Sequence, residues 1–278
     1  MTRIVNNCVA LVCLCLFWGQ SLRAADASHS EQIKWGNESV FNEEHNTLGL
    51  FSGVLGGQIV LAGGTSDDYS RWGRNAVCLS ENAGFALYED VLSKPLAYGA
   101  SITLSDGILC IGGRDSSQCY KDVFLVTMQQ GKLNVSEDWP PLPFPLSNAA
   151  GALLDNKVYL FGGRKSVSPS RLSDSFFVLD LSNKSRGWKE LPGYPGCVRE
   201  DAILVVQNNG VSPCLYLLGG QTETEEGLSS CLTDGYVYNP QLGKWSSLGS
   251  DFPKGICAAV ASGANHILLF QKIGRAHV

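Results

Sequence analysis

Residues 146–163 read LSNAAGALLDNKVYLFGG, a strand of small residues followed by an apolar strand that ends in the glycine pair Gly162-Gly163. The same ending recurs at Gly63-Gly64, Gly112-Gly113 and Gly219-Gly220, so the first glycines stand 49, 50 and 57 residues apart. An aromatic keeps step with them: Tyr88, Trp139, Trp188 and Trp245 follow the first glycine of their pairs by 25, 27, 26 and 26 residues. Val91, Leu142, Leu191 and Leu248 come three residues later. A period near fifty with several strands in each repeat is the mark of a β-propeller, whereas an antiparallel sandwich has no reason to keep a fixed period.

Each module reads as four strands. A small-residue strand comes first (98–104, 148–154, 200–206, 257–263), then the strand ending in the glycine pair (58–64, 107–113, 157–163, 214–220). After a long loop comes a third strand (76–80, 122–128, 175–181, 235–239), and then a fourth carrying the aromatic. Small residues suit the innermost strand, where blades converge, and a glycine pair lets the backbone turn where a Cβ would clash. The expected fold is therefore all-β, a propeller with modules starting near 49, 98, 149, 200 and 257: about four blades and part of a fifth.

Composition fits this class. The chain has 31 Gly, 11 Pro, 17% charged and 44% hydrophobic residues and no long amphipathic helical pattern, and one domain accounts for it. A net charge of −5 gives no electrostatic footprint for nucleic acid, and no nucleic-acid partner is expected.

The ends read differently from the body. Residues 1–27 have the layout of a secretory signal peptide: Arg3, an apolar run from Cys8 to Trp18, then the small-x-small site Ala25-Asp26-Ala27, with cleavage after Ala24 as an alternative. An eleven-residue apolar core is too short to span a bilayer, so a secreted or periplasmic location without stable membrane insertion is expected. Beyond it the chain keeps seven scattered cysteines, Cys78, Cys110, Cys119, Cys197, Cys214, Cys231 and Cys257, read as small buried hydrophobes where they fall in strands. Trp35 lies 28 residues before Gly63 and reads as a fourth strand near 33–36 that closes the ring on a last blade. At the other end the fifth module runs to HILLF (266–270), and residues 273–278 resemble one translated frame of a sequencing adapter, so 28–272 is taken as propeller and 273–278 as a non-native tail.

The stretches KPLAYGAS (94–101), DGILCIGG (106–113), LSNAAGALLDNKVYLFGG (146–163) and LTDGYVYNPQLGKW (232–245) resemble kelch repeats, and in this order the N-acetylneuraminate epimerase family of sialic acid mutarotases. The resemblance implies a six-bladed parent propeller that interconverts the α and β anomers of N-acetylneuraminate without metal or redox cofactor. Such a reaction opens and recloses a pyranose, so it needs groups that donate and accept protons, and a sugar carboxylate favours an arginine fork.

Propeller pockets form from the loops after the glycine pairs and those leading into inner strands. The first glycine-pair loop supplies Asp67, Arg71 and Trp72, the second Arg114 and Asp115, and the third Arg164. Tyr98, Asn148 and Arg199-Glu200-Asp201 stand ahead of inner strands. The substrate-binding candidates are Asp67, Arg71, Trp72, Tyr98, Arg114, Asn148, Arg164 and Arg199. The resemblance places an acid/base glutamate directly after the fourth pair and an arginine before Thr233-Asp234, where this chain has Gln221 and Leu232. Glutamine cannot exchange a proton at neutral pH and leucine cannot bind a carboxylate, so Glu223, Glu225 and Glu226 in the same loop become the catalytic candidates.

Two other classes compete. A copper oxidase on a kelch-like propeller needs imidazole, and the chain offers only His29, His45, His266 and His277, so no metal site is expected. A non-catalytic propeller that binds a sugar or protein through the same loops is favoured by Gln221 and Leu232. An intracellular kelch adaptor is disfavoured by residues 1–27.

Overall fold

The apolar runs that end in glycine pairs form the second strand of successive four-stranded antiparallel sheets, as a computed structural model of residues 48–80, 84–224 and 227–271 shows. The first blade is β1 (Phe51–Leu55), β2 (Gln58–Ala62), β3 (Ala76–Ser80) and β4 (Gly84–Tyr88). The second is β5 (Ala100–Thr103), β6 (Ile108–Ile111), β7 (Val123–Gln129) and β8 (Lys132–Ser136). The third is β9 (Ala150–Leu154), β10 (Lys157–Phe161), β13 (Phe176–Asp180) and β14 (Lys189–Glu190), with a small hairpin of β11 (Arg164–Ser166) and β12 (Arg171–Leu172) inserted after the glycine pair. The fourth is β15 (Ile203–Asn208), β16 (Pro213–Leu218), β19 (Gly235–Asn239) and β20 (Lys244–Gly249), with an insertion of β17 (Gln221–Glu223) and β18 (Ser229–Cys231) at the same place. A hairpin of β21 (Ile256–Ser262) and β22 (His266–Gln271) follows. The innermost strands β1, β5, β9, β15 and β21 are neighbours in that order, so the blades turn about a common axis. The ring-closing strand expected near 33–36 lies outside the described residues.

Blade-on-blade packing explains why the second strands are continuous apolar runs. Each is covered on both faces, and β6, for example, is buried at all four positions. The core is accordingly divided into seams. Phe51, Val60 and Cys78 of the first blade meet Ile108, Cys110 and Phe124 of the second. Leu109, Ile111 and Leu125 on the other face of the second blade meet Val158, Leu160 and Phe177 of the third. Tyr159, Phe161 and Phe176 meet Leu215, Tyr236 and Tyr238 of the fourth. Buried cysteines fill these seams, and burial pushes the Cys78 thiol up to about 11.

Convergence at the axis sets the small-residue rule. A Cβ on Gly53 would lie 2.6 Å from Ile108 Cγ1 of the next blade. The glycine pairs answer a different demand: Gly112 has φ 63°, and a Cβ there would stand 2.2 Å from the carbonyl oxygen of Leu146, which leads into the next blade. Tyr88 and Trp245 lie in fourth strands as expected, but Trp139 follows β8 and Trp188 precedes β14. Those two are blade-linking residues instead: Trp188 donates to Pro140 O at 3.0 Å and Lys184 lies 4.0 Å from the Trp139 ring centroid. Among the described residues no helix is long and apolar enough to cross a membrane.

Candidate functional site

Three successive blades enter their inner strands through a residue with left-handed backbone, Tyr98 (φ 59°), Asn148 (φ 55°) and Asp201 (φ 51°), and the first blade has Gly49 (φ 64°) at this place. Their backbones are joined into a belt: Tyr98 N donates to Gly49 O at 2.7 Å, Asn148 N to Tyr98 O at 2.7 Å and Asp201 N to Asn148 O at 3.0 Å. The residue before each belt member bridges to the residue after its blade's glycine pair, giving Leu48 with Thr65, Ala97 with Arg114, Ser147 with Arg164 and Glu200 with Gln221. Belt and glycine-pair loops therefore share one end of the axis, and most of the residues singled out from the sequence gather there.

The first loop builds an aromatic wall. Asp68 organises it by accepting from Ser66 Oγ at 2.6 Å, Ser70 Oγ at 2.8 Å and Ser70 N at 3.0 Å, and these bonds, that from Ser66 foremost, hold its carboxyl down at about 2. The turn projects Tyr69 and Trp72, while Asp67 and Arg71 are exposed on it. Tyr69 stacks on Tyr98 with centroids 6.5 Å apart, and burial raises the Tyr98 hydroxyl above its ordinary range. Arg114 lays its guanidinium over this group, 4.8 Å from the Tyr98 centroid, 5.1 Å from Trp72 and 5.9 Å from Tyr69. Among the described residues its guanidinium makes a long hydrogen bond, 3.5 Å to Asp115 O, and has no carboxylate partner. Asp115 is occupied elsewhere. Burial alone would raise it, but Tyr120 Oη at 2.5 Å together with the Ser117 and Gln118 amides brings it to about 2.

The next loop is closed by charge. Arg164 Nε donates to Glu200 Oε2 at 2.8 Å and its Nη2 also meets Glu200 Oε1, which makes the pair bidentate. Nη2 reaches Glu223 Oε1 at 3.0 Å, and Ser170 Oγ bonds both Arg164 and Glu223. The Glu200 side chain is only 11% exposed, and its hydrogen bond raises the arginine further above its usual value. Glu223 is thus placed at the mouth with one oxygen shared between Arg164 and Ser170. Glu225 and Glu226 lie outside the described residues. Gln221 accepts from Ser229 Oγ at 2.5 Å, and Leu232 is tied by its amide to Gly220 O at 2.9 Å.

One expectation needs correction. Arg199 is fully buried and does not face the mouth. It occupies the place held by the buried Leu146 one blade back and Leu96 two blades back, since all three carbonyls accept the amide of the preceding blade's second glycine. Its guanidinium grips Asp234 in a bidentate pair at 2.7 and 2.8 Å, with further bonds of 2.8 Å each to Gly219 O and Tyr194 Oη. Burial alone would raise Asp234, but Arg199 pulls its carboxyl below the usual range. A strand-adjacent arginine gives no sign in the sequence that it stands at a leucine position.

Asp201 and Glu200 were visible ahead of the inner strand, yet their roles were not. Asp201 accepts from Asn148 Nδ2 at 2.8 Å through Oδ1. It is exposed to solvent, yet the protein around it raises its carboxyl. Among the described residues no three His, Cys, Asp or Glu side chains come together as a metal site.

Fold, repeat and mouth define the protein as a kelch-type β-propeller. A family model described as N-acetylneuraminate epimerase matches residues 139–273. The chain is 30% identical over 139 residues to an N-acetylneuraminate epimerase of Yersinia pestis (strain Pestoides F), covering 48% of this chain and 33% of that one. It is 31% identical over 131 residues to one of Haemophilus influenzae (strain PittEE), covering 47% and 32%. The match thus spans about a third of the length of these curated relatives. A solved structure of YjhT superposes with a TM-score of 0.63 at 15% identity, over 80% of this chain and 76% of that one, which supports the propeller fold. Over residues 139–273 the chain is thus similar to N-acetylneuraminate epimerases.

Proposed function

We propose that this propeller is a sugar-acid isomerase that interconverts the α and β anomers of N-acetylneuraminate at the belt end of its axis. The observation that carries the reading is Arg114: a guanidinium stacked on Tyr69, Trp72 and Tyr98, with no carboxylate of the described chain opposite it. Such a group is preorganised to fork onto a ligand carboxylate, and the aromatic wall suits the apolar face of a sugar. The family likeness supplies the substrate class.

Exchange spectroscopy by NMR tests this. The full chain should speed anomer exchange of free N-acetylneuraminate above the buffer rate, and Arg114→Ala should lower kcat/KM roughly 10- to 100-fold, the worth of one or two hydrogen bonds to a charged group. An exchange rate equal to that of buffer would overturn the reading. Export directed by residues 1–27 belongs to the same proposal, and N-terminal sequencing of protein recovered outside the cytoplasm should begin at residue 25 or 28.

A second reading has its own support. Gln221 stands where the resemblance expects the acid/base glutamate, and Glu223 is engaged by Arg164 and Ser170. On that reading the mouth binds an acidic sugar without turning it over: ligand signals shift while the exchange rate stays at the buffer value.

A further inference from the structure

We propose that Asp201 is the catalytic acid of this mouth, donating a proton to the ring oxygen of the bound sugar acid and taking it back on reclosure. The proposal rests on the mutarotase reading above and assigns its chemistry to a residue outside the Gln221–Glu226 loop.

The carboxyls at the mouth differ in what they have left to offer. Glu200 is held by both its oxygens on Arg164, and Glu223 is shared between Arg164 and Ser170. Asp68 and Asp115 are bound into their own turns by neighbouring hydroxyls and amides. Among these five carboxyls Asp201 alone receives a single hydrogen bond, and that from a neutral group, Oδ1 from Asn148 Nδ2 at 2.8 Å; among the described residues its Oδ2 has no hydrogen-bond partner. Its backbone is fixed by the belt bond to Asn148 O at 3.0 Å, so the carboxyl is aimed by two contacts and still meets solvent. That is the geometry of a positioned group with a free reacting atom.

The surroundings suit an acid. Five elements bring groups toward Asp201: Tyr98 ahead of β5, Arg114 after β6, Asn148 ahead of β9, Arg164 in β11 and Glu200 ahead of β15. Crowding and Glu200 favour the neutral carboxyl, while the Asn148 bond and the two arginines favour the charged one, and the net effect raises the carboxyl above its ordinary value. Arg114 acts over a distance and would be partly neutralised by a ligand carboxylate, which moves the balance further toward the acid.

The step balances within the sugar, Asp201 and water. The Asp201 Oδ2 proton passes to the ring oxygen as the bond from that oxygen to the anomeric carbon breaks, and the bond's electron pair goes to the oxygen. The anomeric hydroxyl loses its proton to a water in the mouth and becomes the ketone. On reclosure the sugar hydroxyl attacks the opposite face of the ketone and returns its proton to Asp201, while the protonated water returns its proton to the carbonyl oxygen, which gives the other anomer.

Asp201→Asn is a conservative test, because asparagine tolerates the left-handed backbone and retains a carbonyl for Asn148, but it cannot exchange protons. The full chain should show an exchange rate that falls as pH rises through the Asp201 value, since the protonated form is the active one. Asp201→Asn should lose about 100-fold or more in rate together with that falling limb, while saturation-transfer NMR still detects bound N-acetylneuraminate. Asp201→Glu should retain the limb with a reduced rate. A wild-type enzyme that is active while Asp201→Asn keeps its rate within about threefold, or keeps the limb, overturns the assignment and leaves the mutarotase reading standing. Should Asp201→Asn fail to fold, loss of the limb in Asp201→Glu counts equally against it. No acceleration by wild type overturns both.

Discussion

Arg114 and Arg164 hold the same place in neighbouring blades, each the first residue after a glycine pair and each bridged by its backbone to the residue ahead of a belt member. Their side chains meet opposite fates. Arg164 is locked by Glu200 and Glu223, whereas Arg114 lies on aromatic rings with no counter-ion among the described residues. The difference traces largely to one position: Glu200 leads into the blade after Arg164, and the residue at that place in the blade after Arg114 is the buried Ser147. The same scaffold thus makes an arginine into a clamp or a ligand-binding group according to the side chain one blade on.

A third arginine sets the upper end of the scale. Arg199→Leu restores the residue type of the other blades, yet leaves Asp234 without its cation, and should cost about 3 kcal/mol in urea melts because half of a buried ion pair is stranded. Adding Asp234→Ser, the residue at that place in the third blade, should recover most of the loss, and a double variant no more stable than the single one would refute the leucine-position account. For the pair under comparison, Arg164→Ala should cost about 2 kcal/mol, since Glu200 loses a bidentate partner while nearly buried. Arg114→Ala should cost under about 1 kcal/mol, the scale of an accessible cation–π contact. Equal losses at the two sites would break the contrast.

The smallest effect concerns the turn that carries Arg114. Asp115 titrates at about 2 in the fold against an ordinary value of 3.8, so its contribution is present above pH 4 and is lost as pH falls toward 2. Asp115→Asn should therefore lower stability near pH 6 only slightly, and the stability curves of wild type and variant should converge between pH 4 and 2. A gap that widens on acidification would reverse the sign of this assignment.

The propeller was legible because its cause is periodic. In the first three blades a carbonyl leading into the next blade demands the first glycine of the pair, so Gly63, Gly112 and Gly162 mark it in the sequence. The gathering of loops at one end followed from the same periodicity. What the sequence hid was the outcome of pairwise contacts. Nothing in the order of residues distinguishes Arg164 from Arg114 until Glu200 is seen to reach one of them, and Arg199 looks like a loop cation until its register with Leu96 and Leu146 is known. The small hairpins β11–β12 and β17–β18 read as loop because their strands are two or three residues long and polar.

The belt of backbone hydrogen bonds from Gly49 to Asp201 separates the path of the main chain from the identity of its side chains. Glycine, tyrosine, asparagine and aspartate already occupy its four places without altering the link between them. Ligand preference at this mouth can then diverge by single substitutions that never touch the seams, provided the newcomer is unbranched at Cβ and tolerates a left-handed backbone. In evolutionary terms the belt is a mounting rail, and the chemistry is what happens to be fixed to it.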